Sequence, residues 1–224
     1  MKHFTAGSIQ GVIFTLLCLL IGCDSDESTS EEPQGELYRG RKYRDLLQVL
    51  NTSEPLYLFY MCMNTGIQDC PDNNCFNKTY TCEHMRKTGL TNSTYNFTKS
   101  VFNETAWLND SYSARLLQPP FPPTAMEYNI TTSTQVITVN MNLTYNEPGS
   151  YNCSVFDVTY PPHIISSSPM RATYMYLRGP IPNDTLPPDY CQIEFFQTCH
   201  NITIFQPYDL NCSVSEEPQV EIEE

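Results

Sequence analysis

Two sets of residues in this 224-residue chain carry most of its chemistry: the ten cysteines, and a series of Asn-x-Ser/Thr triplets. Cys18 falls inside an apolar N-terminal segment and Cys23 at its end. The other eight are Cys62, Cys70, Cys75, Cys82, Cys153, Cys191, Cys199 and Cys212. An even set of thiols in an oxidising compartment becomes disulfides, here four, with the pairing left open by sequence. The competing chemistry is metal ligation by Cys70, Cys75, Cys82 and His84, but these lack the paired Cys-x2-Cys spacing that zinc sites favour, so no metal is expected. The triplets stand at Asn51, Asn77, Asn92, Asn96, Asn103, Asn109, Asn129, Asn142, Asn152, Asn183, Asn201 and Asn211. With 17 Asn and 40 Ser or Thr in the chain, chance would supply about three such triplets. Twelve describe a secreted glycoprotein of a eukaryote.

Catalytic constellations are missing by comparison. The four histidines, at 3, 84, 163 and 200, are scattered, and none is paired with a nucleophile in a recognisable dyad. There is no G-x-S-x-G, no H-E-x-x-H and no phosphate loop. The chain is therefore expected to bind without turning over a substrate, and to need no cofactor.

Charge narrows the partners. The formal net charge is −13, and nucleic-acid affinity is built from clustered Lys and Arg, so that class is excluded. Eleven of the 25 acids lie in two stretches, from Asp24 to Glu36 and from Glu216 to Glu224. Residues 37–215 hold 14 acids and 11 bases, a net of −3. The acidity is solvating tail chemistry and does not describe a cation-attracting cavity.

The N-terminus reads Lys2, His3, then Val12 to Ile21 with small residues near Gly22 to Ser25, which is the pattern of a secretory signal peptide. Leu20-Ile21-Gly22-Cys23 also resembles a bacterial lipoprotein box, and the glycosylation triplets weigh against it. The apolar run is short for a membrane span and no second one follows. The expected organisation is a signal peptide over 1–23, an acidic disordered lead-in over 24–36, one domain over 37–213 and an acidic tail over 214–224. The product is expected to be secreted and extracellular, to have no membrane partner and to be a monomer.

The elements that must position these residues follow from periodicity. Tyr43, Leu46, Leu47 and Leu50 define one face of a short helix over Arg41–Leu50. Beyond it the period is two. In Gln135–Tyr145, Ile137, Val139, Met141, Leu143 and Tyr145 alternate with Thr138, Asn140, Asn142 and Thr144, and the Asn142 triplet falls on the polar side. Thr94–Val101 repeats the arrangement, with Tyr95, Phe97 and Val101 on the apolar side. Leu56–Met63, Lys78–Arg86, Tyr151–Tyr160 and Arg171–Arg178 read as further strands, separated by proline clusters at 119–123, 161–162 and 180–188. After Asp189, a plausible N-cap, Tyr190, Ile193, Phe196 and Cys199 recur at helical spacing. The fold class is all-β: seven or eight antiparallel strands closing a barrel or forming a sandwich, with a short N-terminal helix and one C-terminal helix.

Over residues 37–213 the chain resembles the tick salivary lipocalins, the family that includes the histamine-binding proteins. Cys153-Ser154-Val155, Tyr174-Met175-Tyr176, Cys191, Cys199 and Cys212 carry the resemblance, together with Thr81-Cys82, Asn92 to Phe97, and Trp107. It implies a lipocalin-like eight-stranded antiparallel barrel, with bonds Cys153–Cys191 and Cys82–Cys212. Cys62, Cys70, Cys75 and Cys199 are left for two more. In the amine-binding members, a Cys-Asp-(Val/Ile/Leu) motif and a Glu-Leu-(Trp/Tyr) motif aim carboxylates into the barrel. Here Ser154 and Tyr174 occupy those places. A protonated amine in a low-dielectric cavity needs a carboxylate partner. Glu83, Glu104 and Glu127 are the acids on other segments that could supply one.

If register follows the family, Ser154, Phe156, Tyr174 and Tyr176 line the interior with Val158, and Trp107 joins them as a ligand-binding candidate or a packing residue at the barrel floor. Asn152 shares the parity of Ser154 yet heads a triplet, so either it lies beyond the barrel mouth, or it is unglycosylated, or the register is shifted. The resemblance implies a secreted protein that sequesters a small host mediator, a histamine-like biogenic amine by family, to evade host defence. Loss of both motif acids favours a lipid mediator. The alternative is a protein-binding inhibitor of host complement or inflammation, acting through the loops of a filled barrel.

Overall fold

The computed structural model describes residues 44–64, 76–162, 169–179, 181–182, 186–200 and 202–213. The signal segment 1–23, the lead-in 24–36 and the tail from 214 lie outside the described residues, as do Cys70, Cys75, His163, Asn183 and Asn201. Helix α1 (Leu46–Leu50) precedes nine strands: β1 (Leu56–Asn64), β2 (Phe76–Lys78), β3 (His84–Leu90), β4 (Thr94–Phe102), β5 (Trp107–Leu117), β6 (Ala125–Thr131), β7 (Val136–Asn146), β8 (Cys153–Tyr160) and β9 (Met170–Arg178). Helix α2 (Asp189–Thr198), strand β10 (Ile204–Gln206) and a 3-10 turn at Leu210–Ser213 follow.

β3 through β9 pair in sequence order, each antiparallel to the next. β9 then pairs with the whole length of β1, from Leu56↔Arg178 to Asn64↔Arg171, and β1 meets β3 at Leu56↔Met85 and Tyr57↔His84. That ring of eight strands is a closed all-antiparallel barrel. The β1–β3 seam is short because the second half of β1 pairs with β10 instead, at Met61↔Phe205 and Cys62↔Ile204. β2 adds a parallel strand outside β10.

Period-two patterning decides which side chains enter. On β7, Val139, Met141 and Leu143 are buried while Asn140 and Asn142 are exposed, and on β4 Tyr95 and Phe97 are buried about an exposed Asn96. β8 and β9 are buried on both faces, Cys153–Phe156 and Ala172–Leu177 being continuous runs. Their inner faces join Leu58, Phe97, Met126 and Met141 inside the barrel. Their outer faces, with Tyr57 and Phe59, are covered by Phe195, Ile202 and Tyr208 of the C-terminal segment.

Three disulfides hold that segment against the wall: Cys153–Cys191, Cys82–Cys212 and Cys62–Cys199. The two pairings implied by the resemblance are present. Cys62–Cys199 assigns two of the four cysteines that the resemblance leaves open. Cys82 is thus a disulfide sulfur, which removes it from the zinc set considered above.

One end of the barrel is sealed by α1, whose Leu46, Val49 and Leu50 are fully buried in the inner core. The Asp45 side chain accepts from Gln48 N at 3.1 Å as N-cap, and Asp45 N donates to Asn146 Oδ1 at 3.1 Å. Arg178 Nη2 donates to the carbonyls of Gln48 and Val49 at 2.8 and 3.0 Å, satisfying the C-terminal groups of the helix. Gly179 follows with φ +76°, a left-handed backbone that favours glycine.

Several expectations are corrected. The first helix begins at Leu46, because the Asp45 cap fixes its start; Arg44 is not helical, and Arg41–Tyr43 lie outside the described residues. The strand expected over Lys78–Arg86 is two strands, β2 and β3, because Tyr80 and Cys82 between them have φ of 53° and 48°, a left-handed backbone that breaks extension. In α2 the cap is Pro188, whose carbonyl accepts from Gln192 N at 3.0 Å, and Asp189 is the first helical residue. The buried face of α2 is Cys191 and Phe195, leading to Cys199. Tyr190 is 72% exposed and Ile193 48%. Two disulfides four residues either side of Phe195 select that face over the more apolar one.

Candidate functional site

The inner wall of β8 and β9 carries four of the five ligand-lining candidates. Ser154 pairs with Tyr176 and Phe156 with Tyr174 across the ladder, and all four are buried on the inward parity. The Phe156 and Tyr176 rings meet edge-to-face at 5.8 Å, and Tyr174 and Tyr176 at 6.2 Å. Trp107 stands apart. It opens β5 in the outer cluster, against His84 at 5.4 Å and Phe102 at 5.5 Å. Asn152 is exposed and precedes the first residue of β8, so its parity with Ser154 places it beyond the ladder and not inside the barrel.

Further polar groups complete this wall: Lys99, Tyr112, Tyr128 and Tyr160 join Glu83, one of the acids considered above as an amine partner. Lys99 Nζ lies 2.7 Å from Glu83 Oε1, with 21% and 16% of the two side chains exposed. Burial alone would lower the Lys99 pKa. The Glu83 charge and the nearby Tyr128 and Tyr160 phenols outweigh it, and the net shift is upward, so the ammonium persists. Tyr160 and Tyr174 hydroxyls share a hydrogen bond at 2.8 Å. Burial drives the Tyr174 and Tyr128 phenols far above their ordinary value, with Lys99 partly offsetting the rise at Tyr128. Tyr112 packs on Phe97 at 5.5 Å and Tyr128 at 5.2 Å, extending the aromatic lining to β5 and β6.

These groups lie toward the end of the barrel away from α1, since Tyr160 ends β8 and the α1 seal contacts Asn146 and Arg178 beside its start. Packing changes along the axis accordingly. Leu46, Leu50, Met126 and Phe156 are completely buried, whereas Met61, Met63, Tyr112, Ile130 and Tyr160 are half-buried. The interior thus combines a dense apolar floor with a mouth-ward lining of phenols, methionines and one ion pair. Chemically it offers neutral hydroxyl donors, the Lys99 ammonium paired with Glu83, and the Asp110 carboxylate, which stands opposite Lys99 across the β4–β5 ladder and is hydrogen-bonded to Tyr112. Of the three acids considered as amine partners, Glu83 is the inward one and is already paired. Glu127 accepts from Arg115 Nε at 3.0 Å, and Glu104 lies exposed in the turn after β4.

A sequence signal for Lys99 existed. It interrupts the apolar side of β4, between Phe97 and Val101. For Glu83, a candidate carboxylate, no alternation shows which way it faces, because it lies in the irregular stretch ahead of β3.

No family model matches the chain, and no curated protein matches it. Among solved structures, it is similar to a bovine odorant-binding protein, a deswapped triple mutant, with 11% identity over 70% of this chain and 95% of that one and a TM-score of 0.46. A dog lipocalin allergen gives 11% identity, 75% and 99% coverage, and 0.47. The siderocalin Ex-FABP gives 10%, 69% and 87%, and 0.42. Likeness at this level carries no statement about ligand. The fold is read from the chain's own strand order: a lipocalin-like closed barrel of eight antiparallel strands, with one helix before it and one after.

Proposed function

We propose that the chain is a secreted glycoprotein, delivered in saliva, that captures a small host mediator in the mouth-ward half of its barrel. The class favoured is a lipid mediator with an acidic or neutral polar head. The observation that supports this reading is the Lys99–Glu83 pair set among Tyr112, Tyr128, Tyr160 and Tyr174 on an otherwise apolar wall. Apolar pockets with a few convergent polar groups suit small molecules. An acyl chain would lie along the half-buried methionines and aromatics while its carboxylate meets the donors that Lys99 and the phenols present. A protonated amine would find the Glu83 carboxylate already neutralised by Lys99, and the Asp110 carboxylate facing that same ammonium across the ladder. Sequestration is stoichiometric, so it needs nanomolar affinity, about −12 kcal/mol. Ten triplet asparagines fall within the described residues and every one is exposed, in keeping with a glycosylated surface.

Isothermal titration of the secreted protein with arachidonate, a leukotriene, histamine and serotonin tests the reading. The acidic lipids should bind and the amines bind more weakly; tight histamine binding would overturn the ligand class. In the double variant Glu83→Gln/Lys99→Met, made so that no lone charge is buried, lipid affinity should fall tenfold or more, about 1.4 kcal/mol. Tyr174→Glu should improve histamine binding.

The completely buried floor at Leu46, Leu50, Met126 and Phe156 favours a second reading, a barrel too full for any ligand that inhibits host complement or inflammatory proteins through its loops. Absence of binding by all four compounds, with capture of a complement component, would select it.

A further inference from the structure

A groove of about 350 Å³ lies on the outer wall of the barrel, lined by Asn140, Asn142, Asp157, Thr159, Arg171 and Thr173, with Thr198 and Ile202 along one side. It is distinct from the interior, since Asn140, Asn142 and Asp157 are exposed residues of the outward parity. Across the strands the lining forms two rows, Asn142↔Asp157↔Thr173 and Asn140↔Thr159↔Arg171. The result is a set of amides, hydroxyls, one carboxylate and one guanidinium over an apolar base to which Cys62, Val158, Ala172 and Ile202 contribute. Asp157 accepts from Thr173 Oγ1 at 3.4 Å, and the Asp157 and Arg171 charges cancel.

A neutral occupant rich in hydroxyls fits this chemistry better than an ion, because the walls present donors and acceptors without net charge. One lining residue also heads a glycosylation triplet: Asn142-Leu143-Thr144. Leu143 is buried inside the barrel, so Asn142 is held outward at the groove's edge.

We propose that this groove is the seat of the chain's own N-glycan, attached at Asn142 and folded back over β8 and β9. This rests on the reading of the chain as a secreted glycoprotein. In the secretory pathway the Asn142 Nδ2 bonds to the anomeric carbon of a lipid-linked oligosaccharide, whose pyrophosphoryl lipid leaves while the nitrogen gives up a proton. Once the barrel forms, the first sugars hydrogen-bond to Asp157, Thr159, Arg171 and Thr173 and rest on Ile202. The other described triplet asparagines do not line this groove.

Timed digestion of the native secreted protein with a peptide N-glycosidase, read as glycopeptides by mass spectrometry, tests this. The Asn142 glycan should be released at least tenfold more slowly than those at Asn92 and Asn129, and denaturation should abolish the difference. Arg171→Ala/Thr173→Val, which leaves the inner wall untouched, should also bring Asn142 to the common rate. Release at the same rate as Asn92 and Asn129 in the native protein would overturn the proposal, as would an unmodified Asn142 with the other sites occupied. If all the asparagines are unmodified, the glycoprotein reading itself fails.

Discussion

The most consequential side chain in the barrel is Lys99, a cation on the apolar side of a strand. Its charge survives burial because Glu83 is 2.7 Å away. Removing one partner leaves the other charge poorly solvated, so Glu83→Gln should cost stability near the low end of about 3–5 kcal/mol, as both groups keep some contact with water. Chemical denaturation measures it. The surrounding phenols add a pH dependence whose sign is fixed. Tyr95, Tyr128, Tyr174 and Tyr176 have pKa values raised by burial, so the folded chain holds their protons more tightly than the unfolded chain does. Their contribution is intact below the ordinary phenol value near 10 and is lost as pH rises beyond it, because the unfolded chain ionises first. Lys99, also raised, loses its contribution over the same alkaline range. Phenolate absorbance should therefore show a class of tyrosines that ionise only as circular dichroism reports loss of the barrel. Reversible ionisation of all 15 tyrosines with the strands intact would contradict this.

At the level of single elements, α1 shows how little local propensity decides. Five residues cannot hold a helix in water. This one persists because Leu46, Val49 and Leu50 enter the core and its ends are met by Asp45, Asn146 and Arg178. Asp45→Ala should cost about 0.5–2 kcal/mol through the cap, seen as a lower thermal midpoint with the strand signal unchanged. The strands that the sequence displays best, β4 and β7, have one wet face and one dry face, so their alternation is written in residue type. β8 and β9 are recognised from their Tyr, Val and Thr content. β5 and β6 are not legible in residue type. Leu108, Asn109, Asp110 and Ser111 are all exposed, so the first half of β5 has no alternation to read, and β6 is a short run of mixed residues between proline-rich and threonine-rich stretches. α2 lies where the helical spacing predicts it, but Tyr190 and Ile193 face solvent, and the cysteines set its orientation.

For the whole molecule, the disulfides at Cys191, Cys199 and Cys212 tie the C-terminal segment to the barrel wall. Cys62–Cys199 and Cys82–Cys212 span 137 and 130 residues, Cys153–Cys191 only 38. On the chain-entropy model the long pair are each worth about 5 kcal/mol and the short one about 4. A Cys82→Ala/Cys212→Ala variant should therefore lower the thermal midpoint more than Cys153→Ala/Cys191→Ala, by calorimetry under non-reducing conditions. Residue types and their order were enough to reveal an all-β chain with two helices, because those features depend on local period and composition; the inward side of β8 and β9, which are buried on both faces and show no alternation, came only from the family resemblance. The partnership of Glu83 with Lys99, the removal of Trp107 to the outer cluster, the partner of Cys62 and the groove beside Asn142 were decided only by folding. Each joins segments from different strands or from opposite ends of the chain, and strand closure sets such distances where sequence separation does not.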